Sequence, residues 1–462
     1  MCYNDDKKIK SKREEASVIS LQGKTVGIYT LGCKVNQYES EAIAEGLVSR
    51  GFSVVPTSQI CDAYIINTCT VTAESDRKAR QLIRRAIKTN PAAYIIVTGC
   101  MAEVFSDKLS KIVGVDYICG NGQKLQVIEA LENLFKQGEK NQVPKISISP
   151  LEDFEQMQIA KFDRTRAYIK IEDGCENRCT YCIIPEARGK VRSKAPTDVL
   201  AEVRALTASG CREVVLTGIE TASYGRDFDN GYRLAELLEE VDAIPDIGRV
   251  RLGSLDPSLM KPDFVNRIAK LKSLTPHFHL SMQSGSDKIL ALMKRKYNRK
   301  MALEGMERLR AAMPNVQFTT DIIVGFPGET EEDFALTVDF AKQARFLMIH
   351  VFPYSERRGT VAATLPGRVP EEIRHARVRE LSAVQAEIQK EILNSYTDTV
   401  VSVLFETYSN GIMIGHTDTF VEVACPTSYS LQSQVHTVYI TGNDGKKCTG
   451  ILCPCNQEQG EK

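Results

Sequence analysis

Three cysteines carry the most specific chemistry in the chain. Cys175, Cys179 and Cys182 lie in the run Ile171-Glu-Asp-Gly-Cys-Glu-Asn-Arg-Cys-Thr-Tyr-Cys182, spaced C-x3-C-x2-C. Three thiolates on one loop suit one corner each of a cubane 4Fe-4S cluster, whose irons take thiolate ligands. The fourth iron is then left open, and an open metal position marks a site that binds a reactant rather than one that only holds a fold. Two other readings fit the same residues: a zinc knuckle with a distant fourth ligand, and three unrelated core thiols.

A second set of thiols recurs at matching places. Cys33 stands in Thr30-Leu-Gly-Cys33-Lys-Val-Asn36, Cys69 in Asn67-Thr-Cys69-Thr-Val-Thr72, and Cys100 in Thr98-Gly-Cys100-Met-Ala102. Each follows a predicted strand. In an open parallel sheet the carboxyl ends of the strands share one edge, where ligands bind. Thiols distant in sequence can therefore converge there and hold a second 4Fe-4S cluster, again with one iron open. Gly32 and Gly99 would let the backbone turn tightly beside it. Taken singly, each of these cysteines reads equally well as a buried free thiol. Cys61 and Cys119 lack the local pattern and read as core thiols. Two basic runs, 188–194 and 294–300, the second with Tyr297 interleaved, could neutralise phosphates and stack bases; the alternative is a pair of solvated helix ends.

The elements that must position these residues are legible from periodicity. Apolar runs at 25–30, 63–67, 94–98 and 115–118 alternate with amphipathic stretches at 38–50, 73–88, 102–112 and 125–136, the pattern of an open parallel α/β sheet. A polar, acidic stretch at 140–158 with Pro144 and Pro150 reads as an interdomain linker. Strand signals return at 167–171, 213–216, 249–252, 277–280, 317–324 and 347–352, with helices between them, predicting a partial (βα)6 barrel that works from its carboxyl edge. From 393 onward short strands at 400–406, 411–416, 420–424 and 435–440 predict a small antiparallel β-barrel. The expected domains are 22–145, 160–392 and 393–455, the last suited to holding a macromolecule. Between 393 and 455 only Lys446 and Lys447 are basic, against five acidic residues, so this module is not a strong phosphate binder by itself. Cys448, Cys453 and Cys455 do not make a convincing third cluster.

Composition agrees with an ordinary soluble globular protein. At 462 residues, 43% hydrophobic and 26% charged, the chain can bury two or three cores. Residues 5–15 are charged and lack the apolar core of an export signal, so the fourteen cysteines read as metal ligands or reduced thiols. No run approaches a membrane span, and the expected location is the cytoplasm. A formal net charge of zero neither requires nor excludes a nucleic-acid partner.

The C-x3-C-x2-C loop, with Tyr181 just before its last cysteine, resembles the radical S-adenosylmethionine (SAM) superfamily, in which the open iron chelates SAM. On that resemblance the polar strand-end residues Thr217, Glu220, Ser254, Ser281, Gln283 and Asp321 become candidate SAM contacts. Helix capping is the alternative, for Ser254 and Ser286 in particular. Over residues 22–455 the order of modules is similar to that of the methylthiotransferases. The motifs are Leu31-Gly-Cys33-Lys-Val-Asn36, Asn67-Thr-Cys69, Thr98-Gly-Cys100, Cys182-Ile-Ile-Pro-x-Ala-Arg188-Gly, Gln283-Ser-Gly-Ser286 and Val324-Gly-Phe-Pro-Gly-Glu-Thr330. Leu216-Thr-Gly-Ile219 and Val351-Phe-Pro-Tyr-Ser355 resemble the branch acting on N6-threonylcarbamoyladenosine at position 37 of tRNA. Glu186 and Glu220 depart from that branch, which commonly shows tyrosine and histidine there. The resemblance implies an N-terminal methylthiotransferase domain, a radical-SAM domain and a TRAM-like barrel. It also implies two 4Fe-4S clusters, SAM, the tRNA anticodon loop, an electron donor such as flavodoxin or ferredoxin, and no membrane anchor, as in bacterial members. Isopentenyladenosine in tRNA and a ribosomal-protein side chain are the alternative substrates.

Overall fold

A computed structural model describes residues 21–138, 140, 143–160 and 165–454. Residues 5–15 and Cys455 therefore lie outside the described residues. The first unit is a six-stranded parallel sheet in the order β2-β1-β3-β4-β5-β6. Its strands are β1 (Thr25–Thr30), β2 (Ser53–Val55), β3 (Ala63–Thr68), β4 (Tyr94–Gly99), β5 (Tyr117–Cys119) and β6 (Lys145–Ser147). Helices α1 (Lys34–Ser49), α2 (Ala73–Thr89), α3 (Cys100–Leu109) and α4 (Gln126–Gln137) cover its faces. The central strands β3 and β4 are buried along their whole length, which is why they read as unbroken apolar runs rather than alternating ones. Helix α2 turns only Ala79, Ile83 and Ala86 inward, and Thr72 caps it by accepting from Ser75 N at 3.1 Å.

The stretch 140–158 is not a slack linker. Lys145–Ser147 adds the edge strand β6, and the Glu155 carboxylate accepts from the backbone N–H groups of Lys124 and Leu125 at 2.9 and 2.8 Å. Met157 is buried, and its carbonyl accepts from Tyr38 and Lys194. Polar composition marked a connection but not the hydrogen bonds that tie it down.

The second unit is an open arc of parallel strands. β7 (Ala167–Lys170), β10 (Glu213–Thr217) and β11 (Arg249–Leu252) form one part; β12 (Ser254–Leu255), β13 (His277–Gln283), β14 (Gln317–Val324) and β15 (Met348–Pro353) form the other. The break between them falls at Gly253, where an added Cβ would meet Thr217 Oγ1 at 3.0 Å. A small antiparallel pair, β8 (Glu172–Asp173) and β9 (Arg192–Ser193), follows β7 and flanks the cysteine loop and the short α5 (Ile184–Arg188). Helices α6 (Pro196–Ala208), α7 (Leu234–Asp242), α8 (Pro262–Ile268), α9 (Asp287–Leu292), α10 (Arg299–Ala312) and α11 (Glu331–Ala344) alternate with the strands. Period-2 alternation divides the strands into two faces. On β13, Phe278, Leu280 and Met282 enter the main core, while His277, His279, Ser281 and Gln283 face the interior cavities.

Helix α12 (Glu371–Asn394) leads to a closed barrel of β16 (Val400–Ser409), β17 (Ile412–Thr417), β18 (Glu422–Pro426), β19 (Val435–Asn443) and β20 (Cys448–Leu452). Closure comes from a parallel pair, β18 with β20, and β20 is an element that periodicity missed. Cys448 is fully buried in the barrel core, so it is a packing thiol and not part of a metal tail.

Candidate active site

The carboxyl edge of the first sheet brings Cys33, Cys69 and Cys100 together. Cys33 stands at the N-cap of α1, Cys69 follows β3, and Cys100 opens α3. Two of the three thiols therefore sit at helix N-termini. Asn36 ties the loops by donating to the carbonyls of Leu31 at 2.7 Å and Thr68 at 3.0 Å. Gly32 adopts φ +104°, and a Cβ there would lie 2.9 Å from Cys69 Cβ. Gly99, at φ +97°, passes so close to β3 that a Cβ would meet Thr68 O at 2.4 Å. Both glycines are needed for the approach of the three loops.

Cys175, Cys179 and Cys182 line a cavity of about 300 Å³ in the second unit. Tyr181, Glu220, Ser281, Gln283 and Asp321 line the same cavity, joined by Asn177 and Arg295. Thr217 and Ser254, expected beside them, instead line an adjoining cavity of about 1280 Å³, to which Asp321 also belongs. Nor is Ser254 a helix cap: it lies in β12, and Asp256 caps the turn that follows, whereas Ser286 does cap α9. Cys33 and Cys69 open onto the larger cavity, and the two cavities share Val71, Thr72, Phe352 and Tyr354 as walls. Five of the six thiols therefore face one connected space, and the sixth, Cys100, is buried.

Local geometry serves the thiols. Arg295 donates to Cys179 Sγ at 3.2 Å and is held by Asp256 at 2.9 Å. A register shift on β13 between Leu280 and Gln283 puts Gln283 at φ +65°, re-aiming its side chain at the cavity rim. Burial pushes Cys175 up to about 12 and Cys69 and Cys182 up to about 11. After burial and a backbone hydrogen bond from Ile184, Cys182 also feels Cys179, Arg295 and, across the interface, Cys100. Cys33 is exposed towards the larger cavity while deep within the protein, and its thiol too is raised by that burial. Such thiols stay protonated at neutral pH until a metal displaces the proton.

All six cysteines are free of disulfides. Among the described residues no three His, Cys, Asp or Glu side chains are arranged to hold a single metal ion. Thiols spread around a cavity suit a multi-iron cluster, in which each iron takes one thiolate, better than a zinc knuckle. Glu220 Oε1 and Asn177 Oδ1 are buried beside the three cysteines with no partner among the described residues, as a site for a polar ligand requires. Glu220 itself is held near pKa 7, first by burial and then by Asp256, with Arg295 and Arg226 opposing.

Several residues of the basic runs are engaged inside the protein, while Lys190, Lys294, Lys296 and Lys300 are exposed. Arg188 is fully buried between the units: its Nε donates to Cys100 Sγ at 3.3 Å, Nη1 to Glu39 at 2.6 Å and Nη2 to Asn36 Oδ1 at 2.6 Å. Arg192 pairs with Asp173, and Lys194 with Glu202. In the second run Tyr297 donates to the carbonyls of Ser281 and Met282, so it braces β13 and is not free to stack on a base. A linear basic run does not reveal that its charges meet buried carboxylates distant in sequence.

Sequence reasoning missed Asn177, Lys34, Arg251, His277, His279 and Phe420, all of which line these cavities, and met Arg295 only as part of a basic run. The alternating His-Phe-His-Leu-Ser-Met-Gln of β13 was the available signal for two of them. Cys61 and Cys119 lie in apolar clusters, as expected of core thiols.

Residues 169–341 match the Radical SAM superfamily, and residues 25–120 match Uncharacterized protein family UPF0004. The threonylcarbamoyladenosine tRNA methylthiotransferase MtaB of Bacillus subtilis is 38% identical over 407 residues, 86% of this chain and 90% of that protein. A tRNA-2-methylthio-N(6)-dimethylallyladenosine synthase of Carboxydothermus hydrogenoformans is 37% identical over 389 residues, 83% of this chain and 88% of that protein. Among solved structures, the radical S-adenosylmethionine methyltransferase TsrM of Kitasatospora setae, with cobalamin and a [4Fe-4S] cluster, is similar in fold. It has a TM-score of 0.55 at 15% identity, covering 74% of this chain and 77% of that one. No described helix is long and apolar enough to cross a membrane.

Proposed function

The chain belongs to the radical-SAM methylthiotransferase family, and on that premise we propose that it methylthiolates carbon 2 of N6-threonylcarbamoyladenosine at position 37 of tRNA. The observation that carries the reading is one connected space lined by Cys175, Cys179 and Cys182 and by Cys33 and Cys69, with Cys100 buried against Arg188. Cys175, Cys179 and Cys182 hold the 4Fe-4S cluster that serves SAM, and Cys33, Cys69 and Cys100 hold a second. When bound, these groups supply one-electron reductive chemistry and the sulfur and methyl that are transferred.

The chain's own residues bind, orient and shield. Glu220 and Asn177 offer oxygen acceptors to the cationic end of SAM, and Ser281, Gln283 and Asp321 offer further polar contacts along the cavity. Tyr181, set edge-on to Phe326 with ring centroids 6.5 Å apart, walls the cluster side from water. Arg295 and Arg188 direct charged N–H groups at the sulfurs of Cys179 and Cys100. The larger cavity takes the modified base, presented from the anticodon loop, where single-stranded bases can leave the stack. Electrons come from a small redox protein of the flavodoxin or ferredoxin class.

Protein reconstituted with iron and sulfide, given SAM, reductant and tRNA bearing N6-threonylcarbamoyladenosine, is expected to add a methylthio increment to that nucleoside, read by nucleoside mass spectrometry. A deletion strain should lack the same product. Modification of isopentenyladenosine or of a ribosomal protein instead would overturn the assignment.

A further inference from the structure

The larger cavity is lined by Lys34, Arg251, His277 and His279 as well as by the carboxylates of Glu74, Asp321, Glu356 and Glu371. Arg251 of β11 pairs with Glu213 at 2.7 Å, but Glu213 also serves Arg166 at 2.6 Å and Arg249 at 3.9 Å. Glu406 takes Arg166 at 2.6 Å and His416. Lys34, the first residue of α1, lines the same cavity and makes no ion pair among the described residues. His277 and His279 project from β13 into the same cavity, and Asp321 lies 3.4 Å from His279.

Two polar atoms there are unsatisfied. Arg251 Nη1 and His277 Nδ1 are buried and have no hydrogen-bond partner among the described residues. Buried polar groups nearly always find partners, and a cationic group left without one costs more than a neutral one. The floor beneath them is sealed by Phe420 of the C-terminal barrel. Its ring stacks on His277 at 4.6 Å and on His416 at 4.7 Å, with the Arg251 guanidinium 4.9 Å from its centroid. That seal restricts water and strengthens the field of the charges above it.

We propose that Lys34, Arg251, His277 and His279 form a carboxylate-binding subsite, and that its ligand is the carboxylate of the threonylcarbamoyl group on the substrate adenine. The inference rests on the tRNA reading above and deepens it. A dimethylallyl group is a hydrocarbon and leaves these donors unpaired, whereas a carboxylate pairs with them through charge-assisted hydrogen bonds. The subsite thus separates two substrates that share the same reacting carbon.

Binding is the readout. Labelled anticodon stem-loops carrying N6-threonylcarbamoyladenosine, its carboxyl methylamide, isopentenyladenosine or plain adenosine are titrated against the full-length reconstituted protein by fluorescence anisotropy. The wild type is expected to prefer the free carboxylate over the methylamide by about tenfold or more, and Lys34→Met to erase most of that preference. Lys34 makes no ion pair, so this variant should fold; Arg251→Gln, which disturbs Glu213, is the companion. Equal affinity of the wild type for acid and methylamide overturns the subsite while leaving the tRNA reading intact, and so does a Lys34→Met protein that keeps the full preference. A fall in SAM affinity in Lys34→Met with the stem-loop preference retained also overturns it, by assigning the donors to the methionyl carboxylate. Preference for isopentenyladenosine overturns both this subsite and the reading on which it rests.

Discussion

Glu220 shows how a single side chain can set a pH response. Burial and the nearby Asp256 hold its carboxyl near 7, well above the ordinary 4.5. The unfolded chain therefore ionises it from about pH 4.5 while the fold resists until about 7, so ionisation works against stability throughout the neutral range. That resistance is worth roughly 3 kcal/mol at most. Glu220→Gln should accordingly raise the melting temperature at pH 8 and leave it nearly unchanged at pH 4.5, as calorimetry would read. SAM, which carries a sulfonium and an ammonium, should bind the wild type more tightly at pH 8 than at pH 6, and the Gln variant should lose that slope. A wild-type affinity that does not change across this range would remove Glu220 from the site. None of this was legible in the residue's identity alone: Glu220 stood out as a polar strand-end group, but its pKa depends on Asp256, Arg295 and Arg226, which only the fold brings close.

Among the elements, strand ends decide where the thiols go. The apolar runs of β1, β3 and β4 could be read because buried parallel strands are hydrophobic on both faces, and their carboxyl ends placed Cys33, Cys69 and Cys100 on one edge. The short strands β2, β6 and β20 were not legible, because three to five residues carry too little pattern and are held by their neighbours. The strand-end arrangement predicts separable clusters. Changing Cys33, Cys69 and Cys100 together to alanine should leave reconstituted protein with half its iron, and changing Cys175, Cys179 and Cys182 should do the same. Gly99→Ala should act like the first set without touching a ligand. Its Cβ has no room against Thr68 O at a positive φ, at a cost of more than about 1 kcal/mol. Iron analysis of the three proteins, alongside their circular dichroism, decides this; full iron in all of them would dissociate the cysteines from the clusters.

At the scale of the molecule, the three units share one interior. Arg188 carries the second unit's charge to Cys100 and Glu39 of the first, and Arg357 reaches Asp76 at 2.9 Å and Thr70 at 2.6 Å. Arg166 and Arg249 bind the barrel through Glu406 and the Ser402 carbonyl. The barrel, expected to hold a macromolecule, also supplies Phe420 to the floor of the larger cavity. Phe420→Ala should cost about 2–3 kcal/mol, less than a fully enclosed ring because Phe420 keeps some exposure. It should also weaken stem-loop binding several-fold while sparing SAM, measured by denaturant unfolding and by anisotropy. Equal loss of both ligands would mean that the barrel only stabilises the fold.

By itself the sequence determined the types of most elements, the order of modules and six cysteines as candidate ligands, because periodicity, turn residues and thiol spacing are local properties. The tertiary structure alone decided that thiols of both sets face the same space and that Arg188, Arg192 and Lys194 are buried in ion pairs. It also decided that histidines and an arginine crowd a floor made by a distant phenylalanine. Those facts depend on distances between residues far apart in the chain, and electrostatic energies follow distance in space, not separation in sequence.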